Sequence, residues 1–254
     1  MKETFVLSIA GFDPSGGAGV IADCKTIHAC GCYALAACTA LTFQNESKVF
    51  GVNWVSLECL QNQLDPLFLG YQISAIKIGI IPNFTFLAAL LDYLENKVPN
   101  VPIVWDPVLM ATAGFSFIEQ LNYADFKSCL QRVSLCTPNL AEAQTITGKT
   151  TPNEVLAVLK KIGPVYIKGY DVSEESFCNV LVTKSLIKEI RVKRLTAADK
   201  HGSGCVLSSA IAVGLAQKCD LLTAVEQAEK YIQKFLTSTA TLLGNHGELR
   251  WANP

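Results

Sequence analysis

The stretch SIAGFDPSGGAGVIAD, residues 8–23, runs from an apolar strand-like segment through a Pro-Ser-Gly-Gly turn into a helix-like one. Glycines between a strand and a helix let a ligand approach the backbone closely. A dinucleotide, a phosphate or an uncharged small molecule could use such a loop. Gly17-Ala18-Gly19-Val20-Ile21-Ala22 does match G-x-G-x-x-A. In the dinucleotide fold, however, the first glycine follows the strand at once, so that the pyrophosphate rests on the helix start. Here Gly11-Phe12-Asp13-Pro14-Ser15-Gly16 intervenes and puts an acid where an anion would enter. The next apolar run, Tyr33 to Gln44, also lacks the acid that would bind a ribose, and no Lys-Ser or Lys-Thr directly follows the glycines as in a P-loop. What remains is a cradle for a neutral small molecule or a purely structural turn. Asp23, one helical turn beyond Gly19, reads as a dipole partner or as an acceptor for an amino group held on the glycine backbone.

Outward from this loop, buried strands are expected at Phe5–Ala10, Tyr33–Phe43, Ile73–Ile80, Ile103–Trp105, Ser134–Thr137 and Val165–Lys168. Helices are expected from Ala18 to Ala29 and after Pro82-Asn83, where Leu87, Leu90, Leu91 and Leu94 recur at helical spacing. Others follow after Pro138-Asn139, from Gly204 to Gln217, and from Leu222 to Leu243, while Cys178–Thr183 and Ile187–Arg194 read as a more polar hairpin. Strands alternating with helices imply right-handed crossovers and a mainly parallel sheet covered on both faces. Without a linker, repeat or composition shift, residues 1–254 read as one α/β domain.

Half of the residues are hydrophobic and 17% charged, enough to build a sizeable core. A formal net charge of -1 with no basic run argues against nucleic acid as a partner. No apolar run approaches the roughly 18 residues of a membrane span, and no signal-peptide pattern opens the chain, so a cytoplasmic protein is expected. The 10 cysteines are scattered without a C-x-x-C pair. Apart from Cys205, most read as small buried hydrophobes in a reducing compartment, not as a zinc site.

In sheets of this kind ligands bind beyond the carboxyl ends of the strands. A second glycine loop lies there, His201-Gly202-Ser203-Gly204-Cys205, ahead of a helix of small apolar residues. Its backbone N–H groups and helix dipole suit a transferring phosphoryl group. The same dipole is expected to lower the pKa of Cys205 and make it useful as a base or nucleophile. A tight helix-packing turn with a core cysteine is the alternative. Asn139 and Glu142, three apart at a helix start, suit a hydrated Mg²⁺, Asp106 offers a second acid, and Lys168 a cation for nucleotide phosphates. Taken singly, Asn139 and Glu142 also read as a capping box and Lys168 as a surface charge.

AGFDPSGGAGVIADCKT (10–26), ALTFQN (40–45), IKIGI (76–80), DPVLMATAG (106–114), TPNLAEA (137–143) and HGSGCVLSSAIA (201–212) together span essentially the whole chain. In this order they resemble the hydroxymethylpyrimidine/phosphomethylpyrimidine kinases of thiamine biosynthesis, of the ribokinase-like superfamily. The resemblance implies a three-layer α/β/α sandwich in which ATP and Mg²⁺ phosphorylate 4-amino-5-hydroxymethyl-2-methylpyrimidine and then its monophosphate. It implies that Gly11, Asp23 and Gln44 hold the pyrimidine between Ile80 and Val108. Asn139, Glu142 and Asp106 would then organise Mg²⁺ and the phosphates, and Gly202, Ser203, Gly204 and Cys205 would form an anion hole. Cys205 stands where many sugar kinases of the superfamily carry an aspartate base, and its thiolate is expected to take the hydroxymethyl proton. Two positions depart from the family pattern: Tyr170-Asp171 replaces a common Gly-His near the nucleotide side, and Ile80-Ile81 a common Met-Leu. A pyridoxal-type vitamin kinase on the same fold and a non-catalytic pyrimidine sensor are the rival readings. Dimers are common in the family, which makes a homodimer a further expectation.

Overall fold

The apolar run that opens the sequence forms β1 (Phe5–Phe12), in which Val6, Leu7, Ile9 and Ala10 are buried. The computed structural model describes residues 3–111, 114–118, 121–172, 176–193 and 200–247. After β1 the elements are α1 (Gly19–Ala29), β2 (Tyr33–Gln44), β3 (Val49–Trp54), α2 (Leu57–Gly70), β4 (Ile73–Ile78), α3 (Phe84–Lys97) and β5 (Ile103–Trp105). Then come α4 (Tyr123–Leu130), β6 (Leu135–Cys136), α5 (Leu140–Thr147), α6 (Pro152–Leu159), β7 (Val165–Val172), β8 (Ser176–Val182), β9 (Ile187–Lys193), α7 (Ser203–Ala216) and α8 (Leu221–Leu236). The strands form one nine-stranded sheet in the order β3-β2-β1-β4-β5-β6-β7-β8-β9. From β2 to β7 all pairs are parallel, and β3, β8 and β9 join antiparallel at the two edges.

Both faces are covered, as continuously apolar parallel strands require. On one face Leu60 and Leu64 of α2, the Leu87–Leu94 stripe of α3, Phe126 of α4, Ile146 of α5 and Val155 of α6 share a core with residues of β1, β2, β4, β5, β6 and β7, α5 and α6 lying against β7. On the other, Ile27 of α1, Val206, Ile211 and Val213 of α7 and Val225 and Ile232 of α8 pack onto Val6, Ala75, Val104 and Leu135. The result is a three-layer α/β/α architecture. Helix starts follow their local chemistry: the Asn83 side chain accepts from the Phe86 N–H at 2.8 Å, and Thr151 and Glu154 form a capping box.

The structure adds four elements, runs β7 on to Val172 beyond the expected Lys168, and shortens the last helix. β3, α2, α4 and α6 were not expected from the apolar pattern. β3 is an edge strand with exposed positions, and α2 carries Pro66 in its interior, so neither shows an uninterrupted period. The last helix stops at Leu236 instead of Leu243, because Thr237 and Ser238 turn their hydroxyls back onto the carbonyls of Gln233 (3.2 Å) and Phe235 (2.7 Å). The chain then folds back, and Gly244 lies against the Phe235 ring, where a Cβ would come within 2.3 Å of Cε2. Among the described residues no helix is long and apolar enough to cross a membrane.

Candidate active site

A cavity of about 320 Å³ opens at the carboxyl ends of the central strands. Gly11, Thr42, Gln44, Ile80 and Val108 line it toward β1 and β2; Lys77, Asp106, Asn139, Glu142, Lys168 and residues 202–205 line it toward β4, β5, β7 and α7. Nearly every candidate from the sequence therefore meets in one space. Asp23 does not.

The first loop is built around Asp13. Its carboxylate accepts from the N–H groups of Ser15 (2.9 Å) and Ala18 (2.8 Å) and from the Ser15 hydroxyl, and the Lys25 ammonium donates to Gly16 O at 2.9 Å. Donors that could have held a phosphate are thus already engaged inside the loop. Gly19 has φ 60°, and a Cβ there would lie 2.1 Å from Gly11 O. A Cβ on Gly11 would approach Ile80 Cδ1 to 2.4 Å, so a larger residue would fill the apolar end of the cavity.

Asp23 is fully buried on α1. One oxygen accepts from Ser209 Oγ (2.8 Å) and Lys77 Nζ (2.9 Å), the other from Ser8 Oγ (2.6 Å) and Lys77 Nζ (2.8 Å). With both oxygens engaged and no place on the cavity wall, Asp23 is not positioned to receive an amino group from a ligand. It is the counter-charge of Lys77, a residue the sequence reading passed over. Burial works against the Lys77 ammonium, but Asp23, with Cys205 and Asp106 nearby, holds its pKa above the usual lysine value.

On the other side of the floor, Asp106 Oδ1 accepts from Lys168 Nζ and Thr137 Oγ1, both at 2.9 Å. Its Oδ2 is buried and has no hydrogen-bond partner. Burial would raise the Asp106 pKa, yet Lys168 and Lys77 together hold it below the carboxylate range. Asn139 caps α5 by accepting from the Glu142 N–H (2.8 Å), and Glu142 Oε2 accepts from the Asn139 N–H (2.8 Å). The capping box and the cavity-lining position are thus the same pair of residues. Burial pushes the Glu142 carboxyl up to about 7.

At α7 the N-cap is Gly202, left-handed at φ 74° and without a side-chain cap. Cys205 lies half-buried in the first turn. Its thiol does not follow the helix-dipole expectation: burial pushes it up to about 11, against the opposing charge of Lys77 and the Gly19 N–H. Tyr170 is absent from the cavity lining; its hydroxyl donates to Asn153 Oδ1 of α6 at 2.7 Å. Thr112 and Ala113 of the 106–114 motif, and residues 196–199 before the second glycine loop, lie outside the described residues.

Sequence reasoning assigned no role to Lys77, Thr42 or Thr137 and did not foresee the pairing of Asp13 with His201. One signal was available: a lysine inside the strand ISAIKI, where every neighbour along the strand is apolar or small, has to be paired.

The profile of the phosphomethylpyrimidine kinase family matches residues 13–250. The hydroxymethylpyrimidine/phosphomethylpyrimidine kinase of Escherichia coli (strain K12) is 32% identical, covering 97% of this chain and 96% of that protein. The relative of the same name from Rhizobium meliloti is 31% identical, covering 93% and 91%. Among solved structures, a phosphomethylpyrimidine kinase from Clostridium difficile superposes with a TM-score of 0.72 at 29% identity, over 91% of this chain and 99% of that one. The ADP complex of Staphylococcus aureus pyridoxal kinase shares the fold, with a TM-score of 0.82 at 22% identity over 99% and 96% of the two chains. Cavity, motif order and relatives agree: this chain is a kinase that belongs to the phosphomethylpyrimidine kinase family.

Proposed function

We propose that this kinase transfers the γ-phosphoryl group of ATP to the hydroxymethyl oxygen of 4-amino-5-hydroxymethyl-2-methylpyrimidine, and then phosphorylates the monophosphate so formed, in cytoplasmic thiamine biosynthesis. The observation that carries the reading is the two-ended cavity, apolar beside Gly11, Ile80 and Val108 and charged beside Lys168, Asp106 and the uncapped α7 start. A flat, uncharged ring fits the first end, with the Gln44 amide offering both a donor and an acceptor to its nitrogens. The second end is built for anions.

Phosphoryl transfer needs alignment and charge neutralisation more than covalent help. Lys168 neutralises nucleotide phosphate, and the N–H groups of Gly204 and Cys205 hold the group in flight, that of Ser203 being donated to Lys200 O. The Asp106 oxygen left without a partner, with the Glu142 carboxyl lining the same cavity, fits a Mg²⁺ ion, which keeps several waters and takes one or two carboxylates. When bound, that ion supplies positive charge to the phosphate oxygens. Cys205, once deprotonated, accepts the hydroxymethyl proton as the new O–P bond forms and ADP leaves.

The reading is tested by measuring kcat/KM for the pyrimidine and for pyridoxal side by side, with ATP and Mg²⁺. The pyrimidine is expected to be preferred by about tenfold or more. Faster phosphorylation of pyridoxal would overturn the substrate assignment, and no pyrimidine-dependent ADP formation would favour a sensor.

A further inference from the structure

A helix start that receives an anion cannot commit its N–H groups to a capping side chain, and α7 has none. Its position must then be fixed from outside the helix. His201, immediately before the N-cap, places ring Nε2 2.8 Å from Asp13 Oδ2. The His201 backbone N–H donates to Leu242 O at 2.9 Å. Gly202 meets the first loop so closely that a Cβ on it would lie 2.1 Å from Gly17 O.

Asp13 is also the residue that shapes the first loop, through Ser15 and Ala18. Burial opposes its charge, but the hydrogen bonds from His201, Ser15 and Ala18 hold its pKa below the usual value. An ionised carboxylate only accepts, so His201 Nε2 carries the proton it donates. One buried carboxylate therefore ties together two loops that are 188 residues apart in sequence. His201 itself borders the cavity.

We propose that Asp13 and His201 are positioning residues for phosphoryl transfer, their hydrogen bond locking the first glycine loop to the start of α7 and so fixing the anion cradle relative to the acceptor hydroxyl. The identity of that acceptor rests on the proposed function. A misplacement of about 1 Å is enough to cost roughly 10²-fold in rate, so the pair acts on turnover without touching the reacting atoms.

His201→Ala removes the donor, whereas His201→Gln keeps an amide N–H near the place of Nε2. With ATP, Mg²⁺ and the pyrimidine, His201→Ala is expected to lower kcat about 30-fold or more while the pyrimidine KM stays within about threefold. His201→Gln should recover kcat to within about fivefold of the wild type. Asp13→Asn breaks the pair from the other side, and combining it with His201→Ala should add little to either single loss. Calorimetric affinity for the non-hydrolysable AMP-PCP with Mg²⁺ gives a readout that needs no acceptor. It should weaken about fivefold or more in His201→Ala and not in His201→Gln. Equal kcat and AMP-PCP affinity in the Ala and Gln variants, or a loss confined to the pyrimidine KM, overturns the proposal. If the wild type binds AMP-PCP yet phosphorylates no pyrimidine, the proposed function has failed and the positioning role is judged on the AMP-PCP ratio alone. Should His201→Ala not fold, Asp13→Asn against His201→Gln gives the same comparison.

Discussion

Two lysine–aspartate pairs lie under one cavity, and they are built differently. In Lys77–Asp23 both side chains are 0% exposed, and each carboxylate oxygen also accepts a serine hydroxyl. In Lys168–Asp106 the lysine side chain is 19% exposed, and one carboxylate oxygen has no partner among the described residues. The first pair is closed at its carboxylate, both Asp23 oxygens being filled inside the sheet–helix layer while Lys77 reaches the cavity wall. The second leaves hydrogen-bonding capacity facing the cavity, which is what a pair that handles a ligand must do. Identical residue types thus perform different work according to how many of their acceptors are already filled.

The largest effect should come from breaking the closed pair. Lys77→Met strands a buried carboxylate and is expected to cost about 3–5 kcal/mol of stability. Lys77→Met combined with Asp23→Asn removes both charges and should recover most of that loss in urea unfolding. A double variant no more stable than Lys77→Met would show that the pair is not self-contained. Next comes the open pair: Lys168→Met should lower kcat about 10²- to 10³-fold, with a far smaller stability loss than Lys77→Met. The opposite ranking in unfolding experiments would erase the distinction between the two.

Smaller effects arise around the open pair through pH. Glu142 titrates near 4.5 when unfolded and is pushed up to about 7 when folded, chiefly by burial. A raised carboxyl pKa means that the folded state binds the proton more tightly. Stability from this group is therefore present below about 4.5, falls as pH rises, and is lost by about 7, a change on the order of 2–3 kcal/mol. Glu142→Gln should flatten that fall in unfolding midpoints taken across the same range. For Cys205 the sign is reversed in its kinetic consequence. With its thiol pushed up to about 11, the ionised fraction grows nearly tenfold per pH unit across neutrality, and kcat should follow up to the alkaline limb. Cys205→Ala should abolish the slope. A flat wild-type profile would assign Cys205 to the anion cradle only.

How far the sequence foretold this arrangement depends on which residue is asked about. The parallel strands β1, β2, β4, β5, β6 and β7 were legible because their apolar runs are continuous, and α3 because its leucines keep helical spacing. α2 was not, since its interior proline and exposed residues blur the period. The cavity lining was legible wherever a polar residue follows a strand: Asp106, Asn139 and Lys168 all border it. Asp23 was misplaced because its chain position gives no hint that Lys77, 54 residues away, fills its oxygens. The link between Asp13 and His201 was hidden for the same reason, since only the folded sheet brings the two loops together.

The most direct test is a crystal structure with the pyrimidine, AMP-PCP and Mg²⁺ bound. The ring is expected between Ile80 and Val108, the terminal phosphate against the N–H groups of Gly204 and Cys205, and Asp23 still closed on Lys77. Nucleotide phosphates bound beside Ser15 and Gly16, or Asp23 turned away from Lys77 to grip the ring, would contradict it.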